Sequence, residues 1–200
     1  MLRPRYPIIT PRLRLRPLAN NDIADLRAYR GRSEVCRYLP FEPMDEQVLR
    51  ARLEADLGRQ EITHEGQGLT LGVELAATGR LVGDVVLFFR STQHSGGEIG
   101  YVFHPEVAGH GYATEACAAV PDLAFDTSVG LGLHRVVARM DARNGASERL
   151  ACRLGMRREA HFRSHEWFKG AWADLVVYAM LDYEWHANAL AQAVPSAMDT

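Results

Sequence analysis

The stretch HPEVAGHGYATEA, residues 104–116, constrains the fold of this chain more than any other. The alternating run EIGYVF (98–103) predicts a strand ending just before it, and a helical pattern opens just after it at Tyr112. Gly109 and Gly111 stand at that junction. Glycine takes left-handed backbone angles without penalty and lets another group approach without meeting a Cβ. A helix N-terminus exposes unpaired N–H groups and a partial positive charge. Residues 107–113 therefore read as a cradle of main-chain amides suited to a pyrophosphate. A tight turn, with the glycines there for shape alone, is the other reading. The dinucleotide fingerprint G-x-G-x-x-G is not met, because Thr114 occupies the third glycine's place. No G-x-x-x-x-G-K-[ST] occurs, which argues against a P-loop nucleotidase.

The rest of the chain switches between strand and helix periods. RLRLRPL (12–18) alternates apolar and charged residues and predicts a half-buried strand. ANNDIADLRAYR (19–30) places Asn and Asp caps before Ile23, Leu26 and Tyr29 at helical spacing. Residues 44–57 predict a second amphipathic helix with Val48, Leu49, Leu53 and Leu57 inward. LTLGVELAATGRLVGDVVLFFR (69–90) predicts two strands about a Thr78-Gly79 turn, followed by the hairpin loop STQHSGG. The helix over 112–126 contains Pro121, which predicts a kink or an early stop. HRVVARM (134–140) predicts a strand, and NGASERLACRLG (144–155) a helix capped by Asn144 and stopped by Gly155. EAHFRSHEWF (159–168) and AWADLVVYAMLDYEW (171–185) predict two strands about Lys169-Gly170. Weak patterning over 185–200 predicts a frayed tail. No repeat or long linker interrupts the order. The expectation is one mixed α/β domain over 1–184, with about seven strands in a central sheet flanked by helices.

Composition narrows the function class. No apolar run approaches the roughly 20 residues of a membrane span, and the N-terminus has no signal-peptide core. Cys36, Cys117 and Cys152 form no C-x-x-C pair and no disulfide framework, which points to a reducing cytoplasm. A net charge of −2 argues against a dedicated nucleic-acid binder, despite the arginines at 3, 5, 12, 14 and 16. His104 and His110 have no third metal ligand nearby in the sequence, so no metal is expected.

Three motifs in order resemble the GCN5-related N-acetyltransferase (GNAT) family, in the branch of the ribosomal-protein alanine acetyltransferases. The family's acetyl-CoA motif, Gln/Arg-x-x-Gly-x-Gly/Ala, falls on Glu106, Val107, Ala108, Gly109, His110 and Gly111, and GYATEA continues it. Glu106 departs from the pattern, which withdraws a side-chain contact to phosphate and leaves main-chain contacts intact. The family's Asn-x-x-Ser and Leu-Gly-Met elements fall on Asn144, Ser147, Leu154, Gly155 and Met156. HEWFKGAWADLVVYAML (165–181) is similar to the branch's last hairpin. With TPRLRLRPL near the start, the resemblance covers about residues 8–183. It implies a single-domain GNAT fold. It also implies transfer of an acetyl group from acetyl-CoA to a primary amine, within a ternary complex and without a metal. The implied acetyl-CoA contacts are Tyr101, Val102 and Phe103 on the strand, Val107, Ala108, Gly109, His110, Gly111, Tyr112 and Ala113 in the cradle, and Asn144 and Ser147 on the next helix. The implied partners are a small-molecule or peptide amine and a second copy of the chain, with no nucleic acid and no membrane.

Acetyl transfer needs a neutral amine, a stabilised oxyanion and a thiolate able to leave. Neutralising a lysine-like amine of pKa about 10.4 at pH 7 costs about 4–5 kcal/mol, and an α-amine only about 1 kcal/mol. Glu166 is the candidate base, because the branch starts its last hairpin with a glutamate and Glu166 follows Ser147 by 19 residues. A solvated strand carboxylate is the other reading of Glu166. Glu98 is the second candidate, and His165 should face away from Glu166 on a strand. Ser147 is the candidate acid toward the sulfur, or with Asn144 only a helix cap. Tyr101 reads as core or cleft wall, with a nearby main-chain N–H on the oxyanion. Rival functions are a transferase of succinyl or another acyl group, and a non-catalytic CoA-binding or nucleic-acid-associated module.

Overall fold

A computed structural model describes residues 1–193. Eight strands form one sheet in the order β1-β2-β3-β4-β5-β6-β8-β7. They are β1 (Ile8–Ile9), β2 (Leu13–Pro17), β3 (Gly68–Leu75), β4 (Leu81–Ser91), β5 (Gly96–Phe103), β6 (Arg135–Asp141), β7 (Arg157–Phe168) and β8 (Ala171–Leu181). The helices are α1 (Ile23–Arg30), α2 (Ser33–Cys36), α3 (Glu46–Arg52), α4 (Tyr112–Ala118), α5 (Val120–Phe125), α6 (Gly145–Arg153) and α7 (Asp182–Ala193). The mixed α/β architecture read from the sequence is the one observed, with the two-residue β1 added at the edge.

Every neighbouring pair is antiparallel except β5 and β6. A parallel step requires a crossover, and α4 with α5 supplies it. The crossover helices pack on one face, over Leu13, Leu15, Leu69, Leu71, Val85, Leu87 and Ile99. Helices α1 and α3 cover the other face with Ile23, Leu26, Tyr29, Leu49 and Leu53 against Leu81 and Val102.

Several expectations are corrected in detail. The 112–126 helix is two helices, with Pro121 in the first turn of the second, as its missing N–H and fixed φ dictate. Val48 points to solvent, whereas Leu49, Leu53 and Leu57 are buried. The reason is that Val48 lies about 100° around the helix from Leu49, on the side away from Leu53. The last strand ends at Leu181 and not at 185. The chain expected to fray from 185 is helical as far as Ala193, and Trp185 anchors it by donating to Asp122 Oδ1 at 3.0 Å. The remainder of that expected tail lies outside the described residues. No helix among those residues is long and apolar enough to cross a membrane. Of the N-terminal arginines, Arg3, Arg12, Arg14 and Arg16 each pair with a carboxylate.

One buried ion pair ties α1 to the sheet. Arg30 donates Nη2 to Asp84 Oδ1 at 2.6 Å and Nε to Oδ2 at 2.9 Å, and the Tyr29 hydroxyl donates to Oδ2 at 2.7 Å. Both side chains are almost fully enclosed, at 5% and 1% exposure. Removing one partner leaves the other charge buried and unpaired, which costs about 3–5 kcal/mol. Asp84→Ala should therefore lower the free energy of unfolding by that amount in a urea titration with unchanged slope. A loss below about 1 kcal/mol would mean that water enters and solvates Arg30.

Candidate active site

The site arises where the sheet comes apart. The parallel ladder joins only Gly96–Arg135, Gly97–Val136 and Glu98–Val137. Beyond it, β5 runs on to Phe103 hydrogen-bonded to β4, and β6 runs on to Asp141 hydrogen-bonded to β8. The two strands diverge between these ladders. Tyr101 spans the gap, its hydroxyl donating to the Ser147 carbonyl on α6 at 3.1 Å. Burial, with Cys117 alongside, raises the Tyr101 hydroxyl well above its ordinary value, so it stays a neutral donor.

Backbone alternation assigns the free amides. The His104 amide donates to the Val82 carbonyl on the β4 side at 2.8 Å. Successive residues of a strand point to opposite sides, so Gly100 and Val102 also face β4, and Tyr101 and Phe103 face the opening. Val102, an implied acetyl-CoA contact, turns its amide toward β4 and lines the cavity.

A cavity of about 520 Å³ occupies the opening. Its floor is the face of the sheet that carries Thr70, Asp84, Val86, Phe88 and Glu98, and its far wall is Ala138, Arg139, Met140, Asn144 and Ser147. The roof is the loop after α2, with Tyr38, Leu39 and Phe41. Lys169, at the β7–β8 turn, holds that roof by donating Nζ to the carbonyls of Cys36 and Phe41, each at 2.8 Å. Glu98 lines the cavity at 21% side-chain exposure. One of its oxygens accepts from Arg90 Nε at 3.0 Å, and the other has no hydrogen-bond partner among the described residues. Asn144 Oδ1 accepts from the Ser147 amide at 3.2 Å, so the cap role is present while both residues also face the cavity.

Glu166 is placed elsewhere. It sits on the sheet-edge strand β7, half exposed at 49%, with His165 4.0 Å away, and neither lines the cavity. The second candidate, Glu98, lines the cavity together with Ser147 and Tyr101.

The cradle lies at the crossover. Gly109 has φ of +83° and Gly111 +78°. Both values fall in the left-handed region that side chains other than glycine enter at a cost of about 1–2 kcal/mol. Gly111 is the N-cap of α4 and offers no side-chain cap, so the amides of Tyr112 and Ala113 keep no intrahelical partner. A Cβ on Gly109 would meet nothing within 4 Å, so the space above it is open. His110 stacks on Tyr112 with ring centroids 5.7 Å apart. Val107 closes the turn by accepting from the His110 amide, and Ala108 donates to the Pro105 carbonyl. His104 is a buried cap that accepts from the Glu106 amide, and burial lowers its pKa despite nearby Glu106. No group of three or more potential metal ligands occurs among the described residues.

The matching family model, described as an acetyltransferase (GNAT) domain, spans residues 12–157. The chain belongs to the GNAT acetyltransferases. An uncharacterized N-acetyltransferase of Bacillus subtilis, YnaD, is 30% identical over 179 residues, which are 90% of this chain and 99% of that protein. A GNAT-family acetyltransferase from Bacillus anthracis superposes with a TM-score of 0.78 at 29% identity, over 88% of this chain and 99% of that one. A spermidine N-acetyltransferase of Vibrio cholerae, in complex with CoA and spermine, superposes with a TM-score of 0.73. At 21% identity, over 87% of this chain and 98% of that one, it shows a shared fold alone. This protein is accordingly an N-acetyltransferase enzyme.

The structure adds a brace to this GNAT cradle that sequence reasoning did not find. Arg12 donates Nε to Glu115 Oε2 at 2.6 Å and Nη1 to the His110 carbonyl at 3.0 Å. Thr10 Oγ1 and the Arg12 amide donate to Glu115 Oε1 at 2.6 and 2.8 Å. The Arg12 guanidinium also lies 4.7 Å from the centre of the Tyr112 ring. Burial pushes the Glu115 carboxyl up, but the Thr10 and Arg12 hydrogen bonds outweigh it and hold the pKa below the usual range. A depressed carboxyl stabilises the fold above its unfolded pKa of about 4.3 and loses that contribution as pH falls through the folded value. The melting-temperature gap between wild type and Glu115→Gln should stay open above about pH 4.3 and close below it. A gap that persists to pH 3 would show that the carboxylate charge is not what the brace uses.

Proposed function

We propose that this GNAT enzyme moves an acetyl group from acetyl-CoA directly to a primary amine within one ternary complex. The observation that carries the reading is the convergence on one cavity of Glu98, Ser147 and the free-facing amide of Tyr101. The cradle supports the donor assignment. Open space over Gly109 and unpartnered amides at the start of α4 fit a pyrophosphate. The roles of Gly109, Gly111, Tyr112, Ala113 and Asn144 in holding the donor belong to this proposal.

In the proposed reaction Glu98 accepts a proton from the ammonium, and the neutral nitrogen attacks the thioester carbonyl. The Tyr101 amide donates to the oxygen as it gains charge. The C–N bond forms and the C–S bond breaks; the second proton leaves the nitrogen and, relayed through the Ser147 hydroxyl, goes to the departing sulfur, giving the amide and the free thiol of CoA. Resemblance of GYATEA (111–116) and 165–181 to the alanine-acetyltransferase branch supports an α-amine acceptor. Such an acceptor asks little of a base, since about 1 kcal/mol deprotonates it at neutral pH.

Acetyl-CoA turnover against a panel of amines, repeated with several acyl-CoAs, tests the reading. An absence of both binding and turnover would overturn it. Base catalysis contributes about 10²–10⁴-fold. Glu98→Gln should lower kcat by that range near pH 7, with the deficit shrinking as rising pH deprotonates the amine, whereas Glu166→Gln should stay close to wild type. The reverse pattern would restore Glu166 as the base.

Ser147→Ala should lower kcat while the acetyl-CoA Kd stays near wild type, because the lost interaction belongs to the transition state. A fall in melting temperature with unchanged kcat would leave Ser147 as a helix cap only.

A further inference from the structure

The charges around the cavity are not balanced, and the imbalance has a place. Its lining holds four arginines, Arg30, Arg52, Arg59 and Arg139, against three carboxylates, Asp56, Asp84 and Glu98. Each carboxylate already has a guanidinium. Arg30 holds Asp84 at 2.6 Å, Arg52 holds Asp56 at 2.7 Å, and Arg90, outside the lining, holds Glu98 at 3.0 Å. Arg59 makes one hydrogen bond, to the Gly68 carbonyl at 3.2 Å, and no ion pair among the described residues. The Arg139 side chain has neither an ion pair nor a hydrogen bond among those residues.

Arg139 is also on the right face. Val136, Ala138 and Met140 of β6 point into the core under the crossover helices, so Val137 and Arg139 point the other way. Val137 is the register partner of Glu98. Arg139 therefore follows Glu98 by two positions along the opening, on the same face, where the strands have begun to diverge. An acceptor whose amine reaches Glu98 meets this guanidinium next. A polyamine placed there would find no unpaired carboxylate for its second ammonium and would meet an unpaired cation.

We infer that the acceptor is a primary amine that also carries an anionic group, a carboxylate or a phosphate, which Arg139 receives while Arg59 adds positive potential from the opposite wall. The inference rests on the proposed amine acetylation and narrows its substrate class. A planar guanidinium binds either anion through paired N–H donors, so the chemistry is shared and the experiment separates the sources.

Rates with acetyl-CoA are compared within matched pairs: an α-amino acid and its amide, O-phosphoethanolamine and ethanolamine, with spermidine as the polycation. The anionic member of at least one pair should be preferred at least tenfold in kcat/KM, and spermidine should be the poorest acceptor. The pair that shows the preference identifies carboxylate or phosphate. Arg139→Gln should bring that ratio toward 1 through a rise in KM for the anionic member, and Arg139→Lys should restore part of it. Equal rates within both pairs, preference for the uncharged members or spermidine, or an equal loss on every amine in Arg139→Gln would each overturn the inference. Turnover on uncharged amines would then leave the acetyltransferase reading standing, whereas absence of acetyl-CoA binding and of all turnover removes that reading itself. In that last case a thermal-shift titration of wild type and Arg139→Gln with the amino acid and with O-phosphoethanolamine decides the anion site. Equal or absent shifts in the two proteins count against it.

Discussion

The shortness of the parallel ladder between β5 and β6 is the constraint on which the rest of the molecule depends. Three residue pairs join the two strands, after which each is committed to its outer neighbour. β5 pairs with β4 from Ser91–Gly96 to Gly83–Phe103, and β6 pairs with β8 from Arg135–Leu181 to Asp141–Leu175. Two long antiparallel ladders outweigh a short parallel one, so the twist of the two half-sheets is taken up as a gap. The gap frees backbone donors on the edge of β5, and it is propped by a tyrosine reaching from β5 to α6.

The two faces of the sheet divide the work. The crossover helices bury the larger core and turn their first residues toward the cradle, where Arg12 and Glu115 lock β2 to α4. The opposite layer, α1 to α3, forms a roof over the cavity. It is fixed at two points, Arg30 on Asp84 beneath it and Lys169 on the loop beside it. A buried ion pair contributes little net stability relative to apolar packing. Its value here is positional, since the forked guanidinium on both carboxylate oxygens sets how α1 sits on β4. Of the four arginines lining the cavity, Arg59 and Arg139 are left without an ion pair among the described residues.

Much of the scaffold was legible because its causes are local. Alternation over 12–18 and 98–103 makes strands whichever sheet they join, and Pro121 divides a helix wherever that helix packs. Gly109 and Gly111 were legible as backbone requirements, and their positive φ angles are the physical content of that signal. The Asn144 cap on Ser147 is likewise a matter of three residues. Local pattern was less reliable at Val48, which sits beside the apolar stripe and not on it, and at 182–185, where a strand-like run turns helical.

The sequence by itself determined the kinds of elements, their order and the existence of an amide cradle, because periodicity, capping and glycine sterics act within a few residues. Tertiary structure alone decided which side chains share the cavity. Glu166 and Glu98 are both strand glutamates, and only sheet order puts one at an edge and the other in the opening. Arg30 meets Asp84 across 54 residues, Arg12 meets Glu115 across 103, and Lys169 meets Cys36 across 133. Those meetings follow from strand register and crossover geometry, and no short window of the chain contains either.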